Sequence, residues 1–321
     1  MKPRGALFER YIIPPLSVLD ARQGYWMDRK KKWQSLGIEQ DIGRPENITG
    51  TNSVNGEVAE YLACTGIETM GVATSKFDPF LSEIMYTWFS KEGDVIIDPF
   101  CGGSTRGIVA QMVGRQYYGV DIRQEQIHAN NCNLARFNKQ YGLNLYPKWY
   151  VGDSCELVNI IPNGVKANMI FSCPPYVNLE IYSDNEKDLS TMTYDKFIIA
   201  YQEIINNCYR LLKDNAFAVF VVGEVRDKEG YYYDFVGDTK KCFLNAGFKL
   251  YNDMVLLELI GTAAMRCGRF FNASRKITKT HQNVIVFSKG NAVKTAKSLG
   301  DLKLFDIDKI TNYSQLTIQT N

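Results

Sequence analysis

The stretch Gly93–Gly107 reads GDVIIDPFCGGSTRG, and its reading decides the fold. Val95–Ile97 is a short run of β-branched apolar residues ending at Asp98-Pro99. Proline lacks the N–H that a central strand needs for its ladder, so the strand stops there. Gly102, Gly103 and Ser104 follow, then a helix-compatible segment over Ile108–Val113. The pattern is strand, glycine turn, helix. Glycine lets the backbone take positive φ and come close to a ligand, and the unpaired amides of a helix start suit an anionic group. Asp98 adds a carboxylate at the strand's C-terminal end, the edge at which open α/β sheets bind ligands.

The segments that follow repeat the theme. Tyr117–Val120 is a second strand and ends in Asp121, placed to hydrogen-bond ribose hydroxyls. Trp149–Val151 ends in Gly152-Asp153, and Met169–Ser172 ends in Cys173-Pro174-Pro175-Tyr176. A single aspartate at a strand end is commonly a loop cap. Three in this order, behind a glycine turn, point to a binding edge. Helical patterns alternate with the strands over Pro79–Ser90, Gln124–Gln140, Tyr194–Leu212 and Val236–Ala246. In the third of these, Phe197, Tyr201, Ile204, Ile205, Cys208 and Leu211 fall at helical spacing. Phe217–Val222 reads as a buried strand, and Leu250–Leu259 and Gln282–Ser288 as an antiparallel pair. Alternating β and α segments predict a Rossmann-like seven-stranded mixed sheet with helices on both faces.

The chain has 321 residues, 45% of them apolar, which is enough for a large core. Its formal net charge is only +2, but the charge is uneven. Residues 1–33 carry eight Lys/Arg against three acids, and residues 261–280 carry five with no acid. Local basic stretches suit phosphate backbones. The eight cysteines show no CxxC pair, which points to reduced thiols, and two histidines argue against a zinc site. No apolar run reaches membrane-spanning length and no signal peptide opens the chain. Ile12-Ile13-Pro14-Pro15 must be extended, and Ser17–Gln34 then allows a helix. Trp26 and Trp33 in that segment serve either a DNA-touching arm or a strap on the catalytic domain. Residues 43–56 read as a mobile loop, residues 57–70 as a short helix or irregular segment, and the last thirty residues give no assignment. The expected organisation is an N-terminal extension over 1–56, a catalytic domain over 57–290 and a tail over 291–321.

DPFCGGST, Asp98–Thr105, resembles motif I of the amino methyltransferases, and CPPY, Cys173–Tyr176, resembles their motif IV. KFDPFL, Lys76–Leu81, resembles motif X, so the order is similar to the gamma arrangement. The resemblance spans roughly residues 5–290 and extends to stand-alone bacteriophage methyltransferases, including the segment PPLSVLDARQGYW. It implies a class I fold and transfer of a methyl group from S-adenosylmethionine to the exocyclic amine of a flipped base in duplex DNA. Adenine N6 is favoured and cytosine N4 is the alternative. The cofactor residues it implies are Lys76, Phe80, Asp98, Phe100, Gly102, Gly103, Asp121 and Asp153, with Asp121 on the ribose and Asp153 on the adenine amine. The catalytic set is Cys173, Pro174, Pro175 and Tyr176: the Pro174 carbonyl accepts from the amine and Tyr176 stacks on the base.

Two positions depart from the family. Cys173 stands where Asp, Asn or Ser is usual, and a thiol is a weak acceptor. Either the Pro174 carbonyl does most of the work or Glu180 supplies an oxygen. Ser104 stands where motif I would place a glycine. Arg266, Arg269, Arg275, Lys276 and Lys279, in a loop over 260–281, are the expected DNA contacts. A ring-carbon methyltransferase would place its cysteine after the proline, whereas Cys173 precedes Pro174. An RNA methyltransferase or a catalytically silent cofactor- and DNA-binding protein remain alternatives. The reading places the protein in the cytoplasm of a bacterial or phage-infected cell, off the membrane, with its oligomeric state left open.

Overall fold

Strand residues here alternate between two apolar layers. Ile96 packs into one layer and Ile97 into the other; Met169 and Phe171 face the first and Ile170 the second. That is the signature of strands buried on both faces. The strands are β1 (Val18–Asp20), β2 (Val95–Asp98), β3 (Gln116–Asp121), β4 (Lys148–Val151), β5 (Ala167–Ser172), β6 (Leu212–Val222), β7 (Lys249–Leu257) and β8 (His281–Lys289). The computed structural model describes residues 5–38, 77–176, 187–261 and 263–310.

The strands form one sheet in the order β1-β7-β8-β6-β5-β2-β3-β4. β8 runs antiparallel to β6 and β7, and every other pair is parallel. From β2 the chain moves outward through β3 to β4, then returns to the far side of β2 as β5. The order therefore reverses between β2 and β5, the switch point where open sheets leave a crevice. The antiparallel pair expected over Leu250–Leu259 and Gln282–Ser288 is β7 and β8.

Ten α-helices and two short 3-10 turns, Ser154–Glu156 and Leu189–Thr191, complete the described elements; the α-helices are α1 (Ala6–Tyr11), α2 (Gly24–Ser35), α3 (Pro79–Phe89), α4 (Thr105–Met112), α5 (Gln124–Tyr141), α6 (Leu157–Ile160), α7 (Tyr194–Leu211), α8 (Phe235–Asn245), α9 (Ala263–Ser274) and α10 (Ala292–Leu299). Helices α2 to α5 cover the first layer, and α7 and α8 the second.

The sheet has eight strands rather than the expected seven. The extra strand is β1, in a segment read as helical. Its three residues pair with Val255–Leu257 at the sheet edge, and Ala21 N donates to Leu257 O at 3.0 Å. So short a strand is held by its ladder partner, more than two hundred residues away, and leaves no local pattern.

Of the two readings of Trp26 and Trp33, the packing matches the strap. Both indoles are fully buried. Trp26 Nε1 donates to Asp78 at 3.0 Å and Trp33 Nε1 to Glu83 at 2.6 Å. Glu83 also takes both arms of Arg29, which donates as well to Phe305 O at 2.7 Å. The Phe305 ring stacks on Trp33 with centroids 5.4 Å apart, so residues beyond α10 pack on the same helix. The segments 43–56 and 57–70 lie outside the described residues, as does the 56/57 boundary.

The basic stretch 260–281, expected as a loop, contains α9. Gly268 in its middle hides the helix from a propensity reading. Arg275, at φ +56, ends it in the left-handed region.

Candidate active site

The glycine turn is held from three sides. Gly102 sits at φ +49, and a Cβ there would meet open space, so the position uses glycine's freedom without a steric ceiling above it. Its N–H donates to Asp121 Oδ2 at 3.1 Å, and its carbonyl accepts from Asn130 Nδ2 at 2.7 Å. Ser104 lies in the right-handed helical region, at φ −68, so the missing motif I glycine has no conformational consequence there. Its Oγ instead accepts from Asn133 Nδ2 at 2.7 Å. Asn130 and Asn133 lie on one face of α5, both buried, and anchor the turn to that helix.

Asp98 stands behind this turn. Its carboxylate is fully buried and accepts from Arg106 Nε (2.6 Å), Tyr117 OH (2.6 Å), Ser172 Oγ (2.5 Å) and Phe100 N (3.1 Å). Arg106 Nη2 also donates to Phe100 O and Cys101 O, and the Phe77 ring lies 4.4 Å from its guanidinium. The aspartate expected on the cofactor is therefore a brace for the turn, with its oxygens already engaged.

A cavity of about 470 Å³ opens over the C-terminal ends of β2 to β5, within the range of small-molecule sites. Of the expected residues, Phe100, Gly102, Gly103, Asp121, Asp153, Cys173, Pro174, Pro175 and Tyr176 line it. Asp98 and Phe80 do not. Phe80 turns into the core against Trp26, centroids 4.9 Å apart, while Phe77 and Asp78 just before α3 and Leu81 within it line the cavity. Lys76 and Glu180 lie outside the described residues.

Asp121 is mostly shielded from water, its side chain 13% exposed, and this burial pushes its carboxyl above the ordinary range; the Arg123 guanidinium and the amides of Arg123 and Gly102 oppose the rise. Asp153 accepts from Cys155 N at 2.9 Å, and the neighbouring Ser154 Oγ donates to Pro99 O at 2.6 Å, tying the ends of β4 and β2 together. Burial pushes the Cys173 thiol up to about 11, with Arg106 beside it opposing. Its Sγ lies 3.9 Å from Tyr176 OH. The Tyr176 ring rests on the chain at the end of β6, where a Cβ on Gly223 would come within 3.2 Å of it.

The basic residues of 260–281 stand apart from the cavity. Arg266 and Arg269 are exposed on α9, Arg275 lies 4.9 Å from the Phe271 ring, and Lys276 lies 5.7 Å from Phe270. Lys279 is partly buried, and burial holds its ammonium below the usual range, with Glu224 opposing. Leu259, just before this segment, lines the cavity, so the basic helix begins at its rim.

The linear reading missed Arg106, Lys30, Asp188 and Glu258, all of which line the cavity. Arg106 stood inside the quoted stretch. Asp188, 4% exposed, accepts from Ser190 N and Oγ and acts on Asp121. It and Glu258 carry no local signal, since tertiary packing alone brings them here. Among the described residues no cluster of His, Cys, Asp or Glu could hold a metal ion, and no helix is long and apolar enough to cross a membrane.

The family described as DNA methylase (N6_N4_Mtase) matches residues 80–131 and 167–319. The Type II methyltransferase M2.DpnII of Streptococcus pneumoniae is 42% identical over 60 residues, covering 19% of this chain and 22% of that protein. A probable tRNA (guanine(10)-N2)-dimethyltransferase of Methanothermococcus thermolithotrophicus is 28% identical over 130 residues, covering 40% of this chain and 70% of that protein. The match thus spans about a fifth of the first relative's length. Among solved structures, TrmN from Thermus thermophilus aligns with a TM-score of 0.45 at 14% identity, over 66% of this chain and 49% of that one.

Proposed function

The chain belongs to the N6_N4_Mtase family of DNA methylases, and from that premise we propose that it methylates the exocyclic amine of a flipped base in duplex DNA, with adenine N6 as the acceptor and cytosine N4 the alternative. The observation that carries the reading is one cavity shared by the glycine turn, Asp121, Asp153 and the Cys173–Tyr176 turn.

The methyl donor is S-adenosylmethionine, whose sulfonium supplies an electrophilic methyl group. The residues fit it. The open space over Gly102 admits a ligand against the backbone, while Asp121 and Asp153 offer acceptors for ribose hydroxyls and an adenine amine. The Asp98–Arg106 brace keeps the turn in place, so little reorganisation is needed on binding.

An exocyclic amine is a poor nucleophile because its lone pair is delocalised into the ring. An acceptor must take one of its N–H groups so that the lone pair points at the methyl. The Pro174 carbonyl is such an acceptor. Tyr176 is the stacking platform, worth about 1–3 kcal/mol per base, which offsets much of the roughly few kcal/mol cost of flipping. The Cys173 thiol, held up to about 11, stays protonated at neutral pH and is no nucleophile there. The exposed Arg266 and Arg269 are the proposed phosphate contacts.

The tRNA dimethyltransferase relative favours a second reading, an exocyclic amine in RNA. The test is to incubate the protein with methyl-labelled cofactor and either unmodified DNA or structured RNA, then digest and identify labelled nucleosides by mass spectrometry. Labelled N6-methyladenine from DNA is expected. N4-methylcytosine would reverse the base, label confined to RNA would reverse the substrate, and no label with cofactor bound would leave a silent binding protein.

A further inference from the structure

Glu258 is a cavity carboxylate outside the glycine and Pro-Pro-Tyr turns. Glu258 directly follows β7, and its N–H donates to Thr280 O at 3.1 Å, which pins it where β7 and β8 meet the binding edge. Its side chain lines the same cavity as Cys173 and Tyr176 and is only partly exposed. Among the described residues it accepts no hydrogen bond and joins no ion pair. Lys30, which acts on it electrostatically, makes its ion pair with Asp78, 3.0 Å away. A carboxylate half out of water and without a donor is costly unless something arrives to satisfy it.

Its place in the sheet says what could arrive. In the strand order β5-β6-β8-β7, β7 lies on the opposite side of β5 from β3 and β4. Glu258 therefore stands across the Cys173–Tyr176 turn from Asp121 and Asp153, on the side left for the acceptor. Three strand spacings of about 4.8 Å separate the ends of β5 and β7, room for a base between them. The thiol at position 173 is a weak acceptor, so the amine lacks one side-chain oxygen on the turn itself.

We propose that Glu258 is the carboxylate that receives the target amine's N–H, the role that Cys173 cannot fill. This rests on the amino-methyltransferase reading. In the ground state Glu258 accepts a hydrogen bond from the amine. As the nitrogen–carbon bond forms at the expense of the donor's sulfur–carbon bond, whose electron pair stays on sulfur, the nitrogen sheds a proton. Glu258 receives it and passes it to solvent. Burial raises the Glu258 carboxyl above its ordinary range, as suits a proton acceptor, with Lys30 opposing and Asp78 adding to the rise. Those two and the Cys173 thiol interact with it electrostatically, and Lys279 and His281 flank Thr280, whose carbonyl its N–H meets.

The test compares wild type, Glu258→Gln and Glu258→Asp as full chains, measuring transfer from labelled cofactor into DNA and RNA against pH, and cofactor affinity by calorimetry. Wild-type kcat should fall as pH drops through the raised Glu258 value. Glu258→Gln should bind the cofactor normally, lose about 100-fold in kcat and lack that acid limb, while Glu258→Asp recovers part of the rate. A Glu258→Gln protein with wild-type kcat and pH profile overturns the proposal. So does one that loses cofactor affinity but keeps kcat at saturation, which would put Glu258 on the donor's ammonium. Wild type that binds cofactor but labels no nucleic acid overturns the proposed function, and the inference with it.

Discussion

Ser172 Oγ donates to Asp98 Oδ1 at 2.5 Å, joining the last residue of β5 to the last residue of β2 across the point where the strand order reverses. The two turns at the cavity, glycine on one side and Pro-Pro-Tyr on the other, are tied together by this buried bond just beyond the β2–β5 ladder.

Replacing Ser172 by Ala should therefore loosen both turns. Loss of one donor to a buried carboxylate costs about 1–3 kcal/mol. Urea unfolding should show that loss, and calorimetry should show weaker cofactor binding. Unchanged cofactor affinity alongside the lost stability would mean that Arg106 and Tyr117 alone suffice to place the turn.

Arg29→Ala should be among the most damaging single changes outside the cavity lining. Glu83 is fully buried and takes two of its three side-chain donors from Arg29, the third from Trp33. Leaving that carboxylate without its charged partner costs about 3–5 kcal/mol. The midpoint of chemical unfolding should fall accordingly, and Arg29→Ala with Glu83→Leu should recover much of the loss.

Thiol chemistry should separate the cysteines. Cys132 and Cys267 are exposed, whereas burial holds Cys173 at about 11. At pH 8, iodoacetamide should label the first two well before Cys173, with methyl transfer retained while only those two are modified. The sign for stability follows: the folded value lies above the unfolded 9.0, so the protonated thiol's contribution is complete below about pH 9 and is lost as pH rises through 11. Mapping the alkylated peptides against residual activity checks both points.

Arg266→Ala with Arg269→Ala should weaken DNA binding without unfolding the protein, because both side chains are exposed on α9. If each contacts a phosphate, the slope of log affinity against log salt should fall in magnitude by about 2. Fluorescence anisotropy at several salt concentrations reads this directly. An unchanged slope would move the DNA contact elsewhere.

Much of this was legible along the chain. β2 and its glycine turn, and the strands ending in Asp121, Asp153 and Cys173, all follow from local chemistry: β-branched runs, proline stops, glycine torsions and polar residues at strand ends. Nine of the expected cavity residues line the cavity. Such features are short-range, so a linear reading finds them. The remainder depends on partners far apart in sequence. β1 exists because β7 offers it a ladder. The tryptophans of α2 are core because Asp78 and Glu83 wait for their N–H groups. Asp98 braces the turn instead of lining the cavity because Arg106, Tyr117 and Ser172 converge on it first. Glu258 enters the cavity because β7 ends there. A hydrogen-bond donor or a wall of apolar surface is supplied by whichever segment the sheet order brings alongside, and that order is a property of the packed chain, not of any window of residues within it.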